Sequence, residues 1–180
     1  MIFPLFRRNP RNEIIASLYG AIVAQARAPV FYRDDGVPDS ANARLEMIML
    51  HTVLFLWRLE GEAPPVRRLG QALFDHFCRD MDATMREMGV GDLAVPRKMR
   101  RIGEAFYGRQ AAYRAALRAP DDAALVTLLE RYVLPRPAKA GAGTRLATYI
   151  RVAVRRLAEQ ESEAFGRGEL TFPDARVGEA

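Results

Sequence analysis

Cysteine is almost absent from this chain of 180 residues. Cys78 stands alone, which excludes an intrachain disulfide and any cluster of thiolate metal ligands, and suits a reducing compartment. Histidine is nearly as scarce: His51 and His76 have no set of further ligands around them, so no metal and no cofactor is expected. Long apolar runs are missing as well. The longest, over 47–57, is bounded by Glu46 and Arg58 and interrupted by His51, and it falls short of the roughly 20 residues a spanning helix needs. The opening residues are apolar first and basic second, the reverse of a secretory signal. A soluble, cytoplasmic protein is expected. Ile2, Phe3, Leu5 and Phe6 beside Arg7 and Arg8 are the place for any peripheral contact at the inner membrane.

Strand patterns longer than a few residues, internal repeats and sustained heptads are also lacking. What is present is helical. Hydrophobic residues make up 49% of the chain, and a chain of this length buries roughly 70% of its unfolded surface. One domain over 1–180 follows. The formal charge of +5 favours acidic partners such as RNA, the ribosome or anionic lipid, without choosing among them, and no specific DNA binding is expected. Arg far outnumbers Lys and Ala is abundant, so part of this basicity is compositional bias.

The expected fold is all-α: a single-domain irregular bundle of about six helices around a central apolar one. Asn9 before Pro10 starts the first, which shows Ile14, Leu18 and Ile22 on one face and ends near Arg27. Residues 30–38 read as an irregular loop. Asp39 or Ser40 caps a second helix to about Leu59, apolar around its whole circumference and therefore central. The third, over 66–88, buries Leu69, Leu73, Phe77, Met81, Met85 and Met88, carries the pairs Asp75–Arg79 and Asp82–Arg86, and closes on Gly89. Pro96 opens the fourth, with Met99, Ile102, Phe106, Tyr113 and Leu117 inward and close packing or a kink at Gly103 and Gly108. Asp121 caps a fifth helix. Residues 135–143 read as a linker, 144–165 as a last helix and 166–180 as a tail.

Catalytic material is poor. His51 reads as a core histidine. His76 and Asp80 share a helical face and could form a hydrogen-bonded pair, but a nucleophile is needed to make that catalytic and Cys78 points elsewhere. A small helical enzyme using this pair is therefore an alternative, and the chain is expected not to be an enzyme. Asp80 and Asp82 diverge by about 200° on a helix and do not form a dyad. Gly89-Val-Gly91 lacks the third glycine and preceding strand of a dinucleotide fingerprint and reads as a cap and turn.

The junction of the third and fourth helices is the candidate partner-binding surface. Met81, Met85, Met88 and Met99 gather there, and unbranched Met suits surfaces that adapt to varied apolar partners. Arg97, Lys98, Arg100 and Arg101, then Arg109, Arg114 and Arg118, crowd the fourth helix from its N-terminus, where cations oppose the macrodipole. Local stability does not explain that placement; a negatively charged partner does. The competing explanation is a solvated face offset by Asp80, Asp82, Glu87 and Asp92. The candidate surface thus comprises Asp80, Asp82, Met85, Arg86, Glu87, Met88, Asp92, Arg97, Lys98, Met99 and Arg101. A basic ribosome- or RNA-binding module is the second alternative.

Several segments carry a resemblance. Tyr19-Gly-Ala-Ile-Val-Ala-Gln-Ala-Arg27, Phe31-Tyr32, Gly36-Val-Pro-Asp39 and Arg44-Leu-Glu-Met-Ile-Met-Leu-His51 come first. Leu73-Phe-Asp-His-Phe-Cys-Arg-Asp-Met-Asp82, running into Arg86-Glu-Met-Gly-Val-Gly-Asp-Leu93, is the strongest. Val95-Pro96, Lys98-Met-Arg100 and Ala105-Phe-Tyr-Gly-Arg109 complete the set. In order and spacing, about residues 12–120 resemble the ubiquinol–cytochrome c chaperone family, as a bacterial-type member. Two departures stand out: Ser40-Ala-Asn-Ala-Arg-Leu replaces a more usual Thr-x-x-Gly-Arg-Phe, and the region after 120 matches weakly. The resemblance implies an all-α, non-enzymatic assembly factor for the ubiquinol–cytochrome c reductase complex. Mitochondrial members engage newly made cytochrome b near the ribosomal exit tunnel. The implied partners are cytochrome b or another subunit of the complex, and the ribosome. It carries over no catalytic residue.

Overall fold

The computed structural model describes residues 10–177, so Asn9 and the apolar-basic opening lie outside the described residues. Eight helices follow one another among them and no strand is present: α1 (Pro10–Ala26), α2 (Pro29–Arg33), α3 (Ala41–Arg58), α4 (Pro64–Glu87), α5 (Val95–Arg118), α6 (Ala123–Tyr132), α7 (Ala142–Ala158) and α8 (Ser162–Gly166).

The expected central helix is α3. The hydroxyl of Ser40 accepts the backbone N–H of Ala43 at 3.2 Å and caps it, in agreement with the sequence reading. Met47, Ile48, Met49, Leu50, Val53, Leu54 and Phe55 are all buried. Seven apolar residues in nine positions leave no polar face, so α3 must be enclosed on all sides, and α1, α5 and α7 pack around it. Each such side chain contributes roughly 1.5–3 kcal/mol on burial.

α4 and α5 form a helical hairpin. The N–H groups of Gly89 and Val90 donate to the carbonyls of Arg86 and Met85, both at 3.0 Å. This double closure requires a left-handed residue, and Gly89 supplies it at φ 79°. Pro96 lies in the first turn of α5, as its fixed φ favours.

Two arginines close helix ends from a distance. Arg151 on α7 donates to the carbonyls of Leu117 (2.8 Å) and Asp121 (3.2 Å) and pairs with Asp122 at 2.7 Å, neutralising the carbonyl end of α5. The N-cap of α6 is Asp122, one residue past the expected Asp121, although the carboxylate of Asp121 still accepts the N–H of Ala123 at 3.0 Å. Arg58 on α3 donates to the carbonyls of Leu157 (2.9 Å) and Gln160 (2.8 Å) and pairs with Glu62.

Arg58 lies at the site of a correction. The last helix is not continuous over 144–165 but ends at Ala158 and resumes as α8, and the guanidinium of Arg58 satisfies the carbonyls that the break leaves open. The tail is not loose either. Ser17 donates to the carbonyl of Gly168 at 2.8 Å, Gln25 to that of Pro173 at 2.9 Å, and Phe172 meets the ring of His51 at 5.3 Å. Residues 30–38 are only partly a loop: Pro29 opens α2, which sends Phe31 into the core.

Three further expectations are corrected. An added Cβ at Gly103 or Gly108 meets nothing within 4 Å; the close approaches are at Gly70, 2.9 Å from Leu56 Cδ2, and Gly143, 2.9 Å from Val126 Cγ1. Arg79 donates to the backbone carbonyl of Asp75 at 3.2 Å and not to its carboxylate. The segment Pro10–Arg33 is long and apolar enough to cross a membrane by length and composition. Here, however, it breaks between α1 and α2, and Ile15, Leu18, Ile22 and Phe31 are committed to the core.

Candidate partner-binding groove

The buried stripe expected along α4 holds only for its first half. Leu73 and Phe77 are enclosed, Met81 and Met85 are half-buried, and Met88 is 69% exposed. The last two turns of α4 run past the body of the bundle, so the same i, i+4, i+7 face that is core at Phe77 becomes the wall of an open groove. Met81, Met85 and Met88 form that wall and Ile102 of α5 closes it. Arg27 at the end of α1 and Ala41, Arg44, Leu45 and Ile48 on the first turns of α3 form the other side. The groove has a volume of about 320 Å³.

The expected residues separate into three groups. Asp80, Met85 and Met88 line the groove, and Met99 lies half-buried one turn before Ile102. Asp82, Arg86 and Asp92 form their own cluster on the turn: Arg86 pairs with Asp82 at 2.7 Å and also with Asp92. Glu87, Arg97, Lys98 and Arg101 are exposed, and the three cations have no ion-pair partner among the described residues. Three of the four offsetting carboxylates are engaged elsewhere, Asp82 and Asp92 by Arg86 and Asp80 by a tyrosine, which leaves the exposed Glu87.

The rest of the basic run is structural. Arg109 holds the buried Glu46 with two parallel bonds, Nη2–Oε1 at 2.8 Å and Nε–Oε2 at 3.0 Å, and stacks 3.5 Å over the ring of Tyr132. Arg114 and Arg118 both pair with Glu60, at 2.7 and 3.1 Å, and Arg100 pairs with Glu104 at 3.3 Å.

His76 and Asp80 do not form the expected hydrogen-bonded pair. Asp80 Oδ2 accepts the hydroxyl of Tyr19 at 2.8 Å, and the His76 ring lies edge-on to Tyr19 at 5.0 Å. Burial first, and then the bond to Asp80, push the Tyr19 hydroxyl above its usual range, so it stays a donor. Burial and then Arg79 lower His76. Cys78 is moved up by burial and then by Asp75, the wrong direction for a nucleophile. His51 is a core residue, as expected, bonded to the Met47 carbonyl at 2.8 Å and the Tyr149 hydroxyl at 2.9 Å.

Sequence reasoning missed the far wall of the groove. Arg27, Arg44, Leu45 and Ile48 belong to segments remote from α4. Because α3 is apolar all round, its periodicity shows no face to assign to an opening. The only available hint was the spacing of Ala41, Leu45 and Ile48. A second cleft, between α3, α4 and α5, is lined by Glu60, Arg67, Phe74 and Tyr107. The paired Glu60 and flanking cations make it more polar than the methionine groove.

Residues 33–172 match the family described as ubiquinol-cytochrome C chaperone. The chain is also similar to the crystal structure of the Cbp3 homolog from Brucella abortus, at 38% sequence identity and a TM-score of 0.83, over 97% of this chain and 98% of that one. No curated protein matches. The family match extends past residue 120, so α6, α7 and the folded-back tail, which the sequence motifs left weakly matched, belong to the family's fold.

Proposed function

The chain belongs to the ubiquinol–cytochrome c chaperone family, and from that premise we infer that it is an assembly factor for the cytochrome bc complex. It holds an apolar segment of a newly made subunit, cytochrome b in the first place, without catalysing a reaction. One observation carries the placement of this activity: the groove of Met81, Met85, Met88 and Ile102 is open and apolar, and lies beside a helix start with three unpaired cations. Adaptable methionines accept differing apolar surfaces. The exposed charges around them form the polar rim that an interface needs. Such a protein works on the cytoplasmic side of the inner membrane, where an incoming client first needs cover.

The enzyme reading finds no support in a His76 without its carboxylate partner and a Cys78 thiol moved away from reactivity. A nucleic-acid module is also disfavoured, because the free cations are few and the rest of the basic run is taken up in ion pairs with Glu46, Glu60 and Glu104. Deleting the gene is expected to lower assembled cytochrome bc complex while its transcripts stay at parental level. Unchanged complex in the deletion strain contradicts the proposal.

A further inference from the structure

The groove also specifies the form and charge of its occupant. Among the described residues every regular element is a helix, so no open sheet edge is available to pair with an extended chain. A peptide backbone laid into an apolar groove without such an edge finds no strand to pair with, and a helix satisfies its own N–H and C=O groups. The cavity of about 320 Å³ is too small for a whole helix but takes side chains from one face of a helix lying across it.

Charge then sets the sign. On the body side the rim carries Arg27, with no ion partner among the described residues, and Arg44, which shares Asp39 at 2.6 Å. On the hairpin side Lys98 lies one turn before Ile102 on the same face of α5, with Arg101 beside it. The first turn of α5 has no acidic residue and its N-cap makes no side-chain bond, so the positive end of that helix adds to these cations. Asp80, held by Tyr19, and the exposed Glu87 are the carboxylates at this end of α4 outside the Arg86 cluster.

We propose that the groove binds an amphipathic helix of the client whose apolar face is followed by acidic residues, these lying against the start of α5. The proposal rests on the chaperone reading above and adds the chemistry of the bound segment.

The test uses the full-length protein and three labelled peptides, read by fluorescence anisotropy. The first is a short amphipathic helix with a leucine face and a cluster of Glu at one end, the second has Lys in place of Glu, and the third is the acidic peptide with a central Pro. The acidic peptide should bind at least about tenfold more tightly than the Lys peptide, the ratio given by 1.4 kcal/mol. The Pro peptide should lose binding. The K98E/R101E double variant should reverse the preference for charge, an outcome that a misfolded protein does not give. Equal affinity for the acidic and Lys peptides, or full binding of the Pro peptide, overturns the proposal and leaves the chaperone reading standing. So does the absence of peptide binding by a protein that still restores complex assembly in the deletion strain. No binding together with normal complex in that strain removes the chaperone reading and the proposal with it.

Discussion

His51 carries its proton on Nδ1. The Met47 carbonyl can only accept, so Nδ1 donates to it, and Nε2 is left to accept the Tyr149 hydroxyl, which in turn accepts Gln25 at 3.0 Å. Every polar atom in this buried chain is satisfied only when the imidazole is neutral, and burial pushes its pKa down to about 4 from 6.5. In the unfolded chain the ring takes a proton below about pH 6.5, while in the folded protein it does not until about pH 4. Stability should therefore be full above pH 6.5 and fall as the pH drops through that window, by roughly 3 kcal/mol at its end. His76, also lowered by burial, adds in the same direction. Urea unfolding at pH 5 and pH 7 checks this; a His51→Gln variant should lose most of the difference. Arg109 is a second residue with a large stake. Arg109→Ala leaves the buried Glu46 without its partner, and thermal and urea melts should show a loss of about 3–5 kcal/mol. Glu46→Gln in the same chain should recover part of it.

At the scale of elements, the α4–α5 hairpin differs from the rest of the bundle. Its middle turns reach the core through Leu73, Phe77 and Phe106 and its tip does not: Met88 and Leu93 are 69% and 95% exposed, and Arg97, Lys98 and Arg101 nearby are unpaired. Reversing those three charges to Glu should leave the helical spectrum unchanged and keep the melting point near or slightly above that of the parent, because acidic residues suit a helix N-terminus. Client capture should be lost, and capture by the parent should weaken with added salt. If the triple variant unfolds, the charges were structural. Much of this hairpin was legible in the sequence, since Gly89, Pro96 and the Met spacing are local signals that act through backbone geometry. So was α3, through Ser40 and an apolar run interrupted only at His51 and Thr52. The interruption after Ala158 was not, because the residue that satisfies its open carbonyls is Arg58, about a hundred positions away. Nor was α2, a single helical turn whose Phe31 is held by tertiary packing instead of propensity.

On the scale of the whole molecule, the bundle is closed around α3 and open at one end. The tail folds back through Gly168, Phe172 and Pro173 onto α1 and His51, so α7, α8 and the tail complete the core and leave the Met81–Met88 face uncovered. Sequence reasoning gathered Met81, Met85 and Met88 on one helix face, as a buried stripe, where the structure makes them a wall of this opening, and it missed the other wall. The missing wall depends on how α1 and α3 meet α4, which no local pattern encodes. The central claim is that this uncovered face is where the client is held. It is tested most directly by expressing a Met85→Lys/Met88→Lys variant in the deletion strain and measuring assembled cytochrome bc complex by native electrophoresis. The variant protein should accumulate and melt like the parent, since Met88 is 69% exposed and Met85 only half-buried, while the complex stays at the level of the deletion strain. Parental levels of complex in the presence of that variant would contradict the account.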